Sequence, residues 1–210
     1  MMKRSFPALL FPVYLLLILV FPVAANPPRA QSSVMVFHES GHGSGVHIGQ
    51  GIILTAAHVV PRDNHVSVMT TTGQEIRADV IFIDREYDVA ALRVVGHSGM
   101  MSSRISCRVP DIGEHIVTTG NPANLKFVTI WGRVSGPLQS IKLIKEVIVT
   151  DMTTIPGMSG GGVLDRWGRV VGTVSAVMTA PMFGVPLAIG YVVPAATSCE
   201  LLKRSGVLKG

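Results

Sequence analysis

Cysteine is scarce in this 210-residue chain, where Cys107 and Cys199 are the only two. One disulfide at most can form, so the fold must rest mainly on an apolar core and not on a cross-linked framework. Spacing leaves two readings open for the pair, a bridge or two separately buried thiols, because it does not say whether the alpha carbons come within reach. Charge is also thin, at 15% of residues, and aromatics make up 6%. No dense run of lysine and arginine occurs, and the balance is too weak to argue for a nucleic-acid partner. The sequence G-Q-G-I at 49–52 lacks the lysine and the spacing of a phosphate loop. After Val23 no apolar stretch is long enough to cross a bilayer.

The one long apolar run lies at the start. Lys3 and Arg4 precede an apolar stretch from Phe6 to Val23, and the small residues Ala24 and Ala25 follow it. A basic region, an apolar region and a small-residue end make up a secretory leader, so residues 1–25 are read as a signal peptide cleaved after Ala25. Pro12 and Pro22 interrupt the run, which makes a retained anchor the lesser reading. The expectation is an exported chain, periplasmic or secreted, with no stable membrane insertion once the leader is gone. What remains is 185 residues carrying sixteen basic and thirteen acidic side chains. That is ample for one domain or two small lobes.

Residues 26–32 read as an irregular lead-in. Six short apolar runs then follow at 34–38, 45–48, 51–55, 66–69, 75–84 and 89–95, separated by Gly, Asn, Asp and Pro, with T-T-G at 71–73 as a hairpin turn. Residues 97–107 form a linker, and the pattern resumes at 115–120, 127–134, 146–150, 161–165, 169–177 and 188–193. W-G-R at 167–169 is read as a turn between two of these strands. The segment from Pro194 to Arg204 is the one expected helix, with proline at its start, Lys203 and Arg204 at its end and Gly206 beyond. The predicted architecture is all-β: two six-stranded antiparallel barrels, residues 33–96 and 108–210, with the active site in the cleft between them and a short C-terminal helix.

Three local motifs carry chemistry. His58 closes T-A-A-H, Asp88 opens D-V-A-A-L, and Ser159 sits in P-G-M-S-G-G-G. A serine hydroxyl needs an imidazole to take its proton, and the imidazole needs a carboxylate to fix its tautomer. The backbone N–H groups of Gly157 and Ser159 are candidate donors to a developing oxyanion. H-E-S-G-H at 38–42 formally fits a zinc pattern, but that chemistry needs His38 and His42 on one helical face, and the surrounding glycines and Ser40 argue for a turn. No metal and no cofactor are expected. His47 only raises the local histidine density, and His65, His97 and His115 have no partner pattern. Trp131 and Trp167 are read as packing residues of the core or between the lobes, and Tyr87 as a strand-edge aromatic.

With these motifs in that order, the chain resembles the chymotrypsin-fold (trypsin-like) serine proteases. The segment at 43–60, G-S-G-V-H-I-G-Q-G-I-I-L-T-A-A-H-V-V, is most similar to the bacterial HtrA/Deg group, and the likeness extends over about residues 33–204. The resemblance implies His58 as general base, Asp88 as its orienting acid, Ser159 as nucleophile, and the Gly157 and Ser159 amides as the oxyanion hole. It also implies a primary pocket with Thr153 near its floor and Thr173, Val174, Ser175, Ala176 and Val177 near its wall. With no carboxylate at Thr153, a small or medium apolar residue before the scissile bond is the expectation. Two positions depart from the family: Met158 stands where Asn or Asp is usual, and Gly162 where proline is usual. Members usually carry a PDZ module, and the residues up to Gly210 leave no room for one. The expected activity is that of a serine endopeptidase acting on polypeptides, including unfolded protein, with oligomeric state open. The competing reading is an exported binding or chaperone-like protein on an inactive protease fold, and a third is an esterase without physiological proteolysis.

Overall fold

The computed structural model describes residues 31–61, 65–96, 99–179 and 186–209. The expected leader at 1–25, most of the lead-in at 26–32 and His97 therefore lie outside the described residues. Six strands make the first lobe: β1 (Ser33–His38), β2 (Gly41–Gly49), β3 (Ile52–Thr55), β4 (His65–Thr70), β5 (Glu75–Asp84) and β6 (Val89–Val94). They close into a barrel in the order β1-β2-β3-β6-β5-β4, as expected from the six short apolar runs. Gly73, with a φ of 84°, turns β4 into β5 and donates its N–H to Thr70 O at 2.9 Å, so T-T-G is the hairpin turn.

Strand alternation sorts the barrel's apolar residues between two cores. On β3, Ile53 points into the barrel with Val36, Val68 and Leu92, while Ile52 and Leu54 join a second cluster. On β6, Ala90 and Leu92 belong to the barrel, and Val89 and Ala91 to the second cluster. That second cluster also holds Val117, Leu164, Val170, Tyr191, Val193 and Leu202 from the other lobe, so it is the core between the lobes. Each Val, Leu or Ile buried there contributes about 1.5–3 kcal/mol, which is how two lobes share one stable interface.

The second lobe is not the six-stranded barrel predicted above. It consists of β7 (His115–Gly120), β8 (Val128–Arg133), β9 (Gln139–Ile141), β10 (Ile144–Thr150), β11 (Gly162–Leu164), β12 (Val170–Thr179) and β13 (Pro186–Pro194). These form an open seven-stranded sheet in the order β8-β7-β11-β12-β13-β10-β9. The extra strand, β9, comes from a stretch whose apolar pattern is too short to register. The ring stays open because the chain after β8 meets β10 at one isolated bridge, Val134 to Thr150. Ser135 and Gly136 then both donate to the single carbonyl of Val149, at 2.8 and 3.2 Å, and Pro137 has no N–H to continue a ladder.

The linker is stapled to the helix. Residues 99–107 are irregular, Ile105 bridges Val170, and Cys107 is disulfide-bonded to Cys199 with alpha carbons 5.6 Å apart. Helix α1 (Ala195–Arg204) begins after Pro194, buries Ala195, Cys199 and Leu202, and carries Lys203 and Arg204 in its last turn. Next to the linker a fully buried carboxylate, Asp165, accepts from Arg169 Nε at 2.8 Å and from Arg108 at 3.2 Å, while Arg108 also forms a two-pronged pair with Glu114. Burial pushes Asp165 up, but the N–H donors of Arg169, Trp167 and Arg108 outweigh it and hold the carboxyl below its ordinary value. The Arg108 hydrogen bonds hold Glu114 below its ordinary value too, and that partner raises Arg108. Among the described residues, no helix is long and apolar enough to cross a membrane.

Both tryptophans depart from the packing role read from sequence. Trp131 is 66% exposed on the edge strand β8, and Trp167 is 57% exposed on the β11–β12 turn. W-G-R is that turn, closed by Gly168 N–H to Asp165 O at 2.9 Å. Its tight geometry holds the indole outside, over which the Arg166 and Arg169 guanidinium groups lie at 4.0 and 4.7 Å from the ring centre.

Candidate active site

The imidazole and its carboxylate come from the closed barrel. Buried Thr55, Ala56 and Ala57 end β3 and lead into a single 3-10 turn, Ala57–Val59, on which His58 stands half-exposed. Small side chains at 56 and 57 allow that turn to lie flat on the barrel while its one large polar residue faces outward. Asp88 precedes β6, is 5% exposed and has a φ of 57°, a left-handed conformation that aspartate tolerates better than most residues. Its carboxylate faces His58 Nδ1 at 2.9 and 3.0 Å and accepts the His58 backbone N–H at 2.9 Å. The pairing fixes both the ring and the backbone that carries it.

The same carboxylate reaches the other lobe, where the Ser175 hydroxyl donates to Asp88 Oδ2. Sequence reasoning put Ser175 in a pocket wall and missed this tie. A lone serine inside the apolar run of β12 was the available signal, since a hydroxyl so buried needs a partner.

Ser159 is held on a turn between β10 and β11. Gly157 has a φ of 99°, Met158 N–H closes on Ile155 O at 3.0 Å, and Gly161 N–H on Met158 O at 2.9 Å. Met158, the departure from the family pattern, is fully buried among Met152, Val163 and Val174, so packing anchors the turn where a polar residue is usual. Gly160 and Gly162 are demanded by close approach of the barrel. A Cβ at Gly160 would fall 2.2 Å from Ser44 O, and one at Gly162 would fall 2.6 Å from the Val46 side chain. The Ser159 carbonyl accepts Ser44 N–H at 2.7 Å, which ties the turn to β2.

The Ser159 hydroxyl donates to Ser175 O at 3.1 Å, so Ser159 and His58 are not hydrogen-bonded in this structure. Such bonds often form only with substrate in place. Among the described residues no acceptor takes the N–H of Gly157 or of Ser159. The expected pocket residues are distributed as follows: Thr153 is exposed, Thr173 and Val174 are buried in β12, Ser175 is engaged with Asp88, and the side chains of Ala176 and Val177 are outside the described residues. Thr154, absent from the sequence reading, is buried beside Gly190, where a Cβ would fall 2.8 Å from its methyl carbon. H-E-S-G-H proves to be the β1–β2 hairpin, with His38 opposite Gly41 and His42 opposite Phe37, so the two histidines share no helical face.

The model of the trypsin-like peptidase domain matches residues 43–172. The periplasmic pH-dependent serine endoprotease DegQ of Escherichia coli is 31% identical over 162 residues, covering 73% of this chain and 35% of that protein. A probable periplasmic serine endoprotease, DegP-like, of Pseudomonas savastanoi is 28% identical over 191 residues, covering 88% of this chain and 40% of that protein. A crystal structure of a serine endoprotease from Yersinia pestis superposes with a TM-score of 0.73 at 26% identity, covering 84% of this chain and 63% of that one. The chain thus spans less than half the length of these two curated relatives. On the matched residues, the fold and the local motifs alike, it belongs to the trypsin-like peptidase family and is related to the DegP-type serine endoproteases.

Proposed function

We propose that the chain is a serine endopeptidase with Ser159 as nucleophile, His58 as general base and Asp88 as the acid that orients it. The observation that carries this reading is the Asp88 carboxylate on His58 Nδ1 at 2.9 and 3.0 Å, which leaves Nε2 to act as the base. The Ser159 hydroxyl first leaves the Ser175 carbonyl. A substrate strand laid beside β12 offers that carbonyl an N–H in exchange, so substrate binding turns the hydroxyl toward His58. Oγ then attacks the peptide carbonyl carbon as His58 takes its proton, and Asp88 stabilises the imidazolium. The Gly157 and Ser159 amides receive the oxyanion. Collapse expels the amine, which takes the proton from His58, and water hydrolyses the acyl-enzyme by the same sequence. The chemistry requires no metal and no cofactor.

The substrate in this reading is a polypeptide, unfolded protein included, with a small or medium apolar residue before the scissile bond. The pocket is formed by Thr153 and the segment from Thr173 to Val177. The lack of a carboxylate at Thr153 supports that preference against lysine and arginine. Residues 1–25 direct export, to the periplasm or beyond, a reading that the periplasmic relatives support.

The test is to treat the parent and Ser159→Ala with a fluorophosphonate probe and with casein. The parent should label and cleave, and the variant should do neither, since loss of the serine lowers kcat by roughly a millionfold in such sites. A folded parent that neither labels nor cleaves would overturn the reading and favour a binding protein on an inactive fold.

A further inference from the structure

The direction of the Gly157 amide depends on a bracket outside the triad. In a trans peptide, C=O and N–H point opposite ways, so whatever holds the Pro156 carbonyl also aims the Gly157 N–H. Ala123 N–H donates to Pro156 O at 3.1 Å, and the Ser44 hydroxyl holds the other side of Gly157, the next peptide plane, by donating to Gly157 O at 2.7 Å. Both holders converge on Asn121. Its backbone N–H and its side-chain amide donate to Ser44 Oγ at 2.9 and 3.0 Å, and its Oδ1 accepts Phe127 N–H at 3.1 Å. The segment it begins is bent: Ala123, Asn124 and Phe127 have φ of 47°, 68° and 54°, conformations that residues with side chains seldom adopt. Such a segment has somewhere to relax if it is released.

The remaining polar group of Asn121, its carbonyl, lies directly on the turn. A Cβ added to Gly157 would fall 2.3 Å from Asn121 O and 2.8 Å from His42 Nε2. His42, half-buried on β2, brings that nitrogen to 3.0 Å from Asn121 O, and because a carbonyl only accepts, the imidazole is the donor. We propose that His42 is a positioning residue, its Nε2–H clamping the Asn121 carbonyl against Gly157 and so fixing where the oxyanion amide points. The inference rests on the peptidase reading. It gives a function to the second histidine of H-E-S-G-H, which metal chemistry does not. Neutral imidazole with its proton on Nε2 and the protonated ring both supply the donor, so the clamp does not depend on His42 being charged.

The test compares full-chain His42→Leu, which keeps bulk and loses the donor, with His42→Gln, which restores an N–H. For each, kcat and KM on a peptide substrate are measured together with amide hydrogen exchange over residues 153–161 and the thermal midpoint. His42→Leu should lower kcat about ten- to hundredfold, below the loss for removing an oxyanion donor outright, with KM within about threefold. Its exchange across the turn should quicken, and His42→Gln should recover both within about threefold. Parent-like kcat and exchange in His42→Leu would overturn the proposal, as would equal losses in both variants that track the thermal midpoint. Should the parent prove to have no turnover, exchange still decides: quickening in His42→Leu alone keeps the clamp while the peptidase reading falls, and unchanged exchange removes the clamp.

Discussion

The two lobes solve the same problem in different ways. In the closed barrel every strand has two neighbours, its interior is filled by Val34, Val36, Ile53, Val68 and Leu92, and the His65–Asp79 hydrogen bond on it is solvent-exposed. The open sheet leaves β8 and β9 at its edges, and the same lobe carries the disulfide and the buried, doubly paired carboxylate. Closure removes unpaired edges by geometry alone, whereas an open sheet has to be held by something else. Here a staple runs from the linker to α1, which packs on β12 and β13, and Arg108 and Arg169 pair with Asp165 on the β11–β12 turn, so both devices hold the middle of the sheet. The division matters for the proposed chemistry because His58 and Asp88 stand on the closed barrel, and Ser159 rides on the stapled sheet.

The sharpest way to break this contrast is to remove the staple. Replacing Cys107 and Cys199 together by serine should cost about 4–5 kcal/mol, from the loop-closure entropy of a cross-link spanning 92 residues. Urea denaturation gives the total, and amide exchange read strand by strand gives its location. The sheet should lose protection more than the barrel. Equal loss in both would mean that the inter-lobe core makes them one cooperative unit, and that the staple does not belong to the sheet in particular.

A smaller effect is expected from Asp165→Asn, about 3 kcal/mol at neutral pH, because one partner of a buried ion-paired group is removed. The pH dependence has a definite sign. The folded state holds this carboxyl below its ordinary value, so its contribution is present above the ordinary carboxylate pKa of about 4 and drains as pH falls through the lower folded value. Urea melts of parent and variant at pH 7 and pH 3 should therefore converge in acid. A gap that stays constant would assign the loss to packing and not to charge.

The contrast also explains what the sequence made legible. The barrel was readable because its strands, β3 and β6 among them, are short apolar runs, and because Gly73 and the glycines flanking β2 and β3 punctuate them. The openness of the second sheet was not, since it turns on where Ser135 and Gly136 send their N–H groups, a matter of long-range partners. The same holds at the site. His58, Asp88 and Ser159 each sit in a motif a few residues long, so local sequence points to them. Ser175 meets Asp88 across 87 positions, and Ser44 meets Asn121 across 77, so nothing nearby in the chain announces either pair. The tryptophans misled for a related reason: large aromatics are commonly core, but a tight turn and an edge strand can hold them outside.

The two smallest predictions probe packing density on either side of the comparison. Ile53→Val removes one methylene from the fully buried barrel core and should cost about 1 kcal/mol, measured by urea denaturation. Trp131→Ser removes the largest side chain on the sheet's edge strand, yet it should change stability by no more than about 0.5 kcal/mol, because two thirds of that side chain is already in water. If instead the tryptophan proved the more costly of the two, the edge of the sheet would have to be covered in solution, and its openness would describe the isolated chain only. A null result would leave the edge uncovered in solution.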